Sequence, residues 1–357
     1  MAKMTKGEHL FDFPDATLDP AIFVHASRAQ EEKRKVQHNP LLARGRTIDR
    51  ADSQLTVFRL WNSATPLYSD KLRSNGGGYF LTWRNHGVVI DPGFDFISQF
   101  GVRHSIDDID VVIVTHDHPD HCEDLARIVT LLKEVNEGRA NPHRVHFYLS
   151  YGTFFKHNFV FQNEEIAQYT IVEKVLPPCH RSLAQGDLSV RFTRTYHKEI
   201  LGDDTGFGLR LNLEAAEGKP CEIGITGDTA FSPDLATAFE GVDLLIAHLG
   251  TLEDLHERAL LSSHLGYRGI LELVRRMSVC RRVLVSEWGE EVCGMRKAIC
   301  ESIKRYVPNT HILPTDLLMR IRLPQCDVYI EDDGAFVPFD GTYVDEDFGS
   351  KLVFKRR

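Results

Sequence analysis

The stretch Thr115-His-Asp-His-Pro-Asp-His121 is the most informative part of this chain of 357 residues. It follows Val111-Val-Ile-Val114, an apolar run that predicts a short buried strand. Side chains two residues apart at a strand end point to the same side, so His116 and His118 can reach one metal ion. The chain then turns, and Asp120 with His121 can present a carboxylate and an imidazole to a second ion beside the first.

The residues around this stretch support the same interpretation. Capping side chains before a helix would also be polar, and Asp120 could serve as one, but capping does not need three histidines. The apolar residues between Cys122 and Val135 have helical spacing. Upstream, residues 78–83 and 87–91 predict a hairpin that ends in the turn Asp91-Pro-Gly93. The histidines therefore lie between a strand and a helix.

Further strands and helices alternate along the chain, which predicts a mixed α/β sandwich with helices on the outside. We expect an N-terminal extension over residues 1–50, a main domain over 51–323 and a C-terminal covering segment over 324–357. The extension either packs on the main body or on a second subunit, or is a solvated helix. Strands are predicted at 55–61, 145–149, 188–192, 207–211, 222–225, 244–247, 282–285 and 319–323, and helices at 265–277 and 291–306.

Composition and charge narrow the classes of function. The chain has 42 basic and 51 acidic residues and a net charge of −9, which argues against a surface that grips polyanions throughout. We find no apolar region of a signal peptide and no apolar run long enough to span a membrane. The seven cysteines are scattered without a Cys-x-x-Cys pair, which favours reduced thiols in a cytoplasmic protein.

The motif Thr-His-x-His-x-Asp-His resembles the signature of the metallo-β-lactamase superfamily, and Asp91-Pro-Gly93 resembles that superfamily's usual hairpin ending. The resemblance covers about residues 55–323. It implies a four-layer αββα sandwich with metal ions at the edges of the sheets.

The resemblance also implies three further metal ligands. His197, which follows a predicted strand, is similar to the ligand that completes the site of His116 and His118; His180 is the rival and precedes its strand. Asp228, in Thr226-Gly-Asp-Thr, is similar to the aspartate that bridges both metal ions, although such a sequence can also be a simple turn. His264 resembles the last ligand of the second site, and its alternative is His256.

Seven ligands of this kind imply two divalent metal ions, most simply zinc, although manganese or iron also accept nitrogen and oxygen donors. A hydroxide bridging the two ions would be the nucleophile. Enzymes that cleave β-lactams carry cysteine or serine at the position of Asp228, so that activity is disfavoured. The catalytic candidates are Asp120, through its metal, and His248.

The order of motifs after Gly227 is nearest to that of tRNase Z-like phosphodiesterases. This chain has Ala247-His-Leu-Gly-Thr251 where those enzymes have His-Glu-Ala-Thr, so a smaller phosphodiester, such as a cyclic nucleotide or an oligonucleotide, is expected as substrate. His248 is the candidate for protonating the leaving oxygen, and a buried strand-end histidine is the alternative. Glu287 could orient His248 or simply cap a helix.

Three functions therefore stay open. The first is a phosphodiesterase acting on a nucleotide or nucleic acid, the second is a lactone or carboxylic-ester hydrolase, and the third is a binding module without catalysis. All seven ligand positions are filled, which places the third last. The partners expected are a phosphodiester substrate, nucleic acid included, and a second copy of the chain in a homodimer, but no membrane.

Overall fold

The computed structural model describes residues 24, 25, 28, 40–42, 45–49, 53–62, 76–183, 187–197, 205–215, 219–252, 264–277, 280–289, 292, 294–332 and 334–339. Within these residues the strands form two mixed sheets, of nine and seven strands. Each sheet contains a block of four parallel strands. In the first sheet it runs from β3 (His86–Ile90) to β6 (Thr170–Val175), and in the second from β10 (Cys221–Ile225) to β13 (His311–Pro314). The strands of the first sheet are β1 (Gln54–Arg59), β2 (Gly76–Trp83), β3 (His86–Ile90), β4 (Val111–Val114), β5 (Val145–Ser150), β6 (Thr170–Val175), β14 (Arg320–Arg322), β15 (Asp327–Asp332) and β16 (Ala335–Pro338). Those of the second sheet are β7 (Cys179–Leu183), β8 (Leu188–Arg194), β9 (Phe207–Leu213), β10 (Cys221–Ile225), β11 (Leu244–His248), β12 (Arg282–Ser286) and β13 (His311–Pro314).

The helices lie outside the two sheets. In the part of the chain that the structure describes, five helices follow strands of the first sheet, and three helices follow strands of the second sheet. They are α1 (Phe96–Phe100), α2 (Pro119–Cys122), α3 (Leu125–Asn136), α4 (Tyr151–Phe161) and α5 (Glu164–Ala167), then α6 (Pro233–Phe239), α7 (Gly266–Arg276) and α8 (Arg296–Tyr306).

Three apolar cores hold these layers together. Side chains that alternate along a strand go to different cores: Val57 of β1 lies between the two sheets, whereas the adjacent Phe58 packs outward against α1. Phe192 and Phe207 fill the space between the sheets, with ring centroids 4.8 Å apart. The second sheet's outer face packs against α6, α7 and α8. The molecule is thus the predicted four-layer αββα sandwich, the metallo-β-lactamase fold.

The order of the strands places the chemistry at one edge. In the first sheet, β3 and β4 are parallel neighbours, and in the second β10, β11 and β12 are. The carboxyl ends of parallel strands meet at the same edge of a sheet, where ligands bind in open α/β sheets. Asp91, the histidine loop, Asp228, His248 and Glu287 all stand at such strand ends.

Segments from both terminal regions contact the sandwich. Residues 324–357 are expected as a covering segment, and within them β15 pairs with β14, and β16 with β15, in the first sheet. In the 1–50 extension, Thr47 donates its main-chain N–H and its hydroxyl to Asp108, in the 3-10 turn Ile106–Asp108. That part packs on the main body.

Two smaller expectations concern thiols and membranes. Six cysteines lie in the described residues, which contain no disulfide bond, while Cys293 falls outside them. Cys221 and Cys326 are neighbours in the core between the sheets, with sulfur atoms 3.8 Å apart. Among the described residues, no helix has the length and apolar character needed to cross a bilayer.

Candidate metal centre

The histidine loop leaves the end of β4 and enters a short helix. Thr115 to His118 extend from the strand, and α2 begins at Pro119. Proline suits the first position of a helix, because the N–H it lacks would have had no helical partner there. The turn that follows brings Asp120 and His121 back beside the strand end, where both side chains are buried.

One set of ligand atoms comes from His116, His118, His197 and Asp228. His118 Nδ1 lies 3.1 Å from His116 Nε2 and also 3.1 Å from His197 Nε2. Asp228 Oδ2 is 3.8 Å from His116 Nε2 and 3.9 Å from His197 Nε2. An imidazole nitrogen has either one hydrogen or one lone pair in its plane, so His118 Nδ1 cannot hydrogen-bond both neighbours well. Four donor atoms around one position are the arrangement of a metal site.

A second set shares Asp228 with the first. His121 Nε2 lies 3.5 Å from Asp120 Oδ2 and 3.6 Å from Asp228 Oδ2. His264 Nε2 lies 3.3 Å from the same Asp228 oxygen. Ligands about 2.1 Å from a tetrahedral zinc ion are about 3.4 Å from one another. These spacings therefore fit a second metal ion, with Asp228 between the two positions.

Unsatisfied oxygen atoms support the presence of a cation. Asp120 Oδ2 and Glu287 Oε2 are buried and have no hydrogen-bond partner. A buried carboxylate oxygen without a partner is costly, since it has lost the water that solvated it. A divalent ion beside Asp120 would remove that cost. The donor set, which consists of imidazole nitrogens and carboxylate oxygens, is one that zinc accepts.

Asp91 fixes the orientation of His121. Its Oδ2 lies 2.9 Å from His121 Nδ1, and the carboxylate also accepts from Thr115, with 2.7 Å from the main-chain N to Oδ1 and 2.7 Å from the hydroxyl to Oδ2. All three residues are buried. Such a carboxylate keeps the proton on Nδ1 and leaves Nε2 free to bind metal. The sequence had assigned Asp91 only to a turn.

Replacement of Asp91 by Asn is expected to weaken metal binding roughly 10- to 100-fold, because an amide no longer holds His121 in one tautomer and orientation. Zinc titration against a competing chelator measures the change. Asp108→Asn is the matched control, since Asp108 is also buried and accepts from main-chain N–H groups, but at the 3-10 turn that holds Thr47. Equal effects of the two substitutions would contradict this role of Asp91.

His248 is placed differently from a proton donor that faces a substrate. Its side chain is fully buried at the end of β11. Nδ1 lies 3.1 Å from Asp228 Oδ1 and 2.8 Å from Glu287 Oε1, and Nε2 lies 3.1 Å from the hydroxyl of Tyr79. Both ring nitrogens are therefore engaged with protein groups, and the contact expected between Glu287 and His248 is present.

Arg59 is the residue of the site that the sequence did not suggest. It is the last residue of β1 and fully buried, and its guanidinium contacts Glu287 and the main-chain oxygen of Asp120. The register of β1 against β2 shifts between Val57 and Arg59. Such a bulge redirects a side chain. In the sequence alone, Arg59 is one polar residue in a mostly apolar run, and its partners in the site are not apparent.

The electrostatics of the two ligand sets differ. Burial would lower the pKa of His121 and of His264, but neighbouring carboxylates raise the pKa of His121 well above its usual range and raise that of His264, so metal binding at the second set would release protons. Burial lowers the pKa of His118 to about 4 and that of His116 well below its usual range, helped by the neighbouring imidazoles. Burial would raise the pKa of Asp228, but His121, His248 and His264 hold it well below the usual range. Burial raises the pKa of Asp120 to about 6 despite His121 and Arg59, with Glu287 adding to the rise. Neutral imidazoles and ionised carboxylates are what a metal ion requires.

The sequence left two alternatives for the third histidine of the first set, and the structure distinguishes between them. His180 lies in β7, exposed to solvent, whereas His197 is buried beside His116 and His118. His264 lies beside Asp228, where it completes the second set. Its side chain is 22% exposed, so the centre is accessible to solvent at this residue. His256 falls outside the described residues.

The four-layer sandwich, the edge position and the paired His/Asp sets define a metallo-β-lactamase-fold hydrolase with a His/Asp metal site. The chain belongs to this superfamily: the family described as "Beta-lactamase superfamily domain" matches residues 86–285, more than half of the chain.

Three known proteins are similar to this chain in sequence or in structure. An uncharacterized protein of Methanocaldococcus jannaschii is 26% identical over 213 residues, which are 58% of this chain and 73% of that protein. The metallo-beta-lactamase fold protein YhfI from Bacillus subtilis has a TM-score of 0.59 at 16% identity, over 75% of this chain and 98% of its own. The short form of human tRNase Z has a TM-score of 0.54 at 17% identity, over 76% of this chain and 99% of its own. Similarities at this identity establish the fold alone.

Proposed function

We propose that this protein is a phosphodiesterase that uses two divalent metal ions to hydrolyse a nucleotide, a cyclic nucleotide or a nucleic acid. One observation carries the proposal: Asp228 Oδ2 lies within 3.9 Å of His116 and His197 on one side and within 3.6 Å of His121 and His264 on the other. A single carboxylate in that position is suited to join two metal ions. The name of human tRNase Z, a protein of this fold, marks it as a ribonuclease, which is compatible with the substrate class.

The buried charges favour an anionic substrate. Four buried carboxylates, Asp91, Asp120, Asp228 and Glu287, face one buried cation, Arg59. These five groups carry three net negative charges, which two divalent ions and a hydroxide between them would balance. In a low-dielectric surrounding the two ions would attract an anion such as a phosphodiester directly, whereas a lactone carries no charge that would benefit.

Each residue has a stated task in this proposal. Asp120, His121 and His264 would hold one ion, His116, His118 and His197 would hold the other, and Asp228 would be their shared ligand. Asp91 and His248 position His121 and Asp228 through the hydrogen bonds described above. Zinc is the metal that we propose.

Two ions held in this way would lower the pKa of a water molecule between them and stabilise negative charge on the phosphoryl oxygens. His248 is assigned to positioning, because both its ring nitrogens already have protein partners. The protein's own contribution is then to fix the shared carboxylate and to keep His116 and His118 neutral until a metal binds.

Purified protein is expected to contain about two zinc ions per chain and to hydrolyse bis(p-nitrophenyl) phosphate, with simple lactones left unchanged. Elemental analysis and a panel of cyclic nucleotides and oligonucleotides measure this directly. Asp120→Ala should remove the activity, since Asp120 is a ligand of the second set. Asp234→Asn, an exposed carboxylate at the start of α6, is the control and should leave both zinc and turnover unchanged.

The outcomes separate the parts of the proposal. If the protein binds no divalent metal, the proposed dinuclear site is contradicted. Two bound ions together with lactone turnover and no phosphodiester turnover would leave the site intact and overturn the substrate class. Full activity of Asp120→Ala would show that the second ligand set takes no part in catalysis.

A further inference from the structure

A buried positive charge lies directly beside one of the two ligand sets. Arg59 Nη1 is 3.1 Å from His121 Nε2 and 3.6 Å from Asp120 Oδ2, and none of its side chain is exposed. Both atoms are donors that the second metal ion would need. The guanidinium is held in place by contacts to Glu287 and to the main-chain oxygen of Asp120, so it cannot swing away without losing both.

A fixed cation at this distance opposes the binding of another cation. The repulsion between two charges grows as the surrounding dielectric falls, and water does not reach the guanidinium to screen it. Glu287 offsets part of this effect, because its Oε1 lies 3.5 Å from His121 Nε2. That carboxylate also interacts with His248 at 2.8 Å, so its charge is shared.

The surroundings of the first ligand set are different. His116, His118 and His197 contact one another and Asp228. The cation held against the same loop is Lys156, whose ammonium donates to the main-chain oxygen of Asp117 at 2.8 Å and lies 3.5 Å from the sulfur of Cys122. Its contacts are with the back of the loop and not with a ligand atom.

We propose that Arg59 is a positioning residue that makes the metal position of Asp120, His121 and His264 the weaker of the two, so that the chain binds its metal ions in two separate steps. This inference rests on the proposed two-metal site. The first step fills the position of the three histidines, and the second fills the position beside the guanidinium. The activity of the protein would then depend on the free metal concentration at which the second step occurs.

The test is a titration of the full, metal-free chain with Zn²⁺ alone, followed by calorimetry against a competing chelator. We expect two binding steps whose affinities differ by roughly tenfold or more, because a like charge lies beside one of the two positions. Arg59→Gln, which removes the charge and keeps an amide donor, should tighten the second step by roughly tenfold or more and leave the first unchanged. Arg59→Lys keeps a positive charge and should retain two separated steps.

Two further variants test whether the effect is due to the charge of Arg59. Glu287→Gln leaves Arg59 without its counter-charge and should weaken the second step, the opposite direction from Arg59→Gln. Arg296→Gln removes another fully buried arginine, whose Nη1 lies 3.2 Å from the main-chain oxygen of Thr315, and should leave both steps as they are. Circular dichroism checks that each variant is folded.

Several results would overturn the role of Arg59. These are two equal binding steps in the unaltered chain, a second step that Arg59→Gln leaves unchanged or weakens, and a Glu287→Gln variant with an unchanged or tighter second step. If Arg59→Gln fails to fold, Arg59→Met, which also removes the charge, takes its place, because Glu287 lies close enough to His121 to affect the second step by itself. A chain that binds no zinc at all would instead contradict the proposed metal site.

Discussion

Asp228→Asn is expected to remove at least one of the two metal ions and to lower phosphodiesterase turnover by roughly 10³-fold or more, because the ions supply several kcal/mol of the stabilisation of the transition state. Asp228 is the shared ligand, and its Oδ2 is the oxygen that faces both sets of histidines. An amide oxygen carries no negative charge, so it holds two cations together far less strongly than a carboxylate oxygen does.

The same substitution also disturbs His248, which lies 3.1 Å from Asp228 Oδ1. Loss of a hydrogen bond to a buried charged partner costs about 1.5–3 kcal/mol, so some loss of stability is expected as well. Zinc content, turnover and thermal unfolding are therefore measured on the same sample. Asp234→Asn is again the control. A variant with two zinc ions and near-normal turnover would show that Asp228 is not the shared ligand.

The sequence predicted the strand before the histidine loop and the helix after it, because that information is local. His116, His118, Asp120 and His121 lie within six residues, and strand and helix periods on either side determine where their side chains point. The αββα architecture was also predicted, and it is confirmed. The strands between the sheets have continuous or alternating apolar runs that a single sequence reveals.

The surroundings of the loop depended on contacts between distant parts of the chain. Arg59 and His121 are 62 positions apart, and Arg59 and Glu287 are 228 apart. Their meeting depends on a bulge in β1 and on the pairing of the sheets at one edge. No local period encodes such a contact. A charged residue within an otherwise apolar strand, as Arg59 is, was the one signal available.

His248 illustrates the same limit. Its position after a buried strand was read correctly from the sequence, and the structure places it at the end of β11 beside Asp228. Its partners Tyr79 and Glu287 lie elsewhere in the sequence. Their contacts with the two ring nitrogens enclose the His248 side chain, and the sequence does not indicate these contacts. The boundaries proposed at residues 50 and 323 and the homodimer stay predictions.

Gly250→Ala is expected to displace His264 and to weaken the second metal position, with a loss of turnover of roughly 10²-fold, since small misplacements in a catalytic centre have effects of that size. Gly250 has a φ of +74°, and a Cβ built there would lie 2.4 Å from Cγ and Cδ2 of the His264 ring. The main-chain N of Gly250 also donates to the main-chain oxygen of Glu287 at 3.1 Å, which fixes the loop and leaves little room to yield. The ring would therefore have to move away from Asp228.

Gly241→Ala separates this contact from ordinary backbone strain. Gly241 has a φ of +79°, and a Cβ there would meet nothing within 4 Å. Both substitutions force alanine into the left-handed region, at a cost of about 1–2 kcal/mol, so both should lower the unfolding temperature similarly. Gly250→Ala alone should lose zinc from the second step of a titration. Equal zinc affinities in the two variants would mean that His264 tolerates the added methyl group, and that its distance from Asp228 is not set by the glycine.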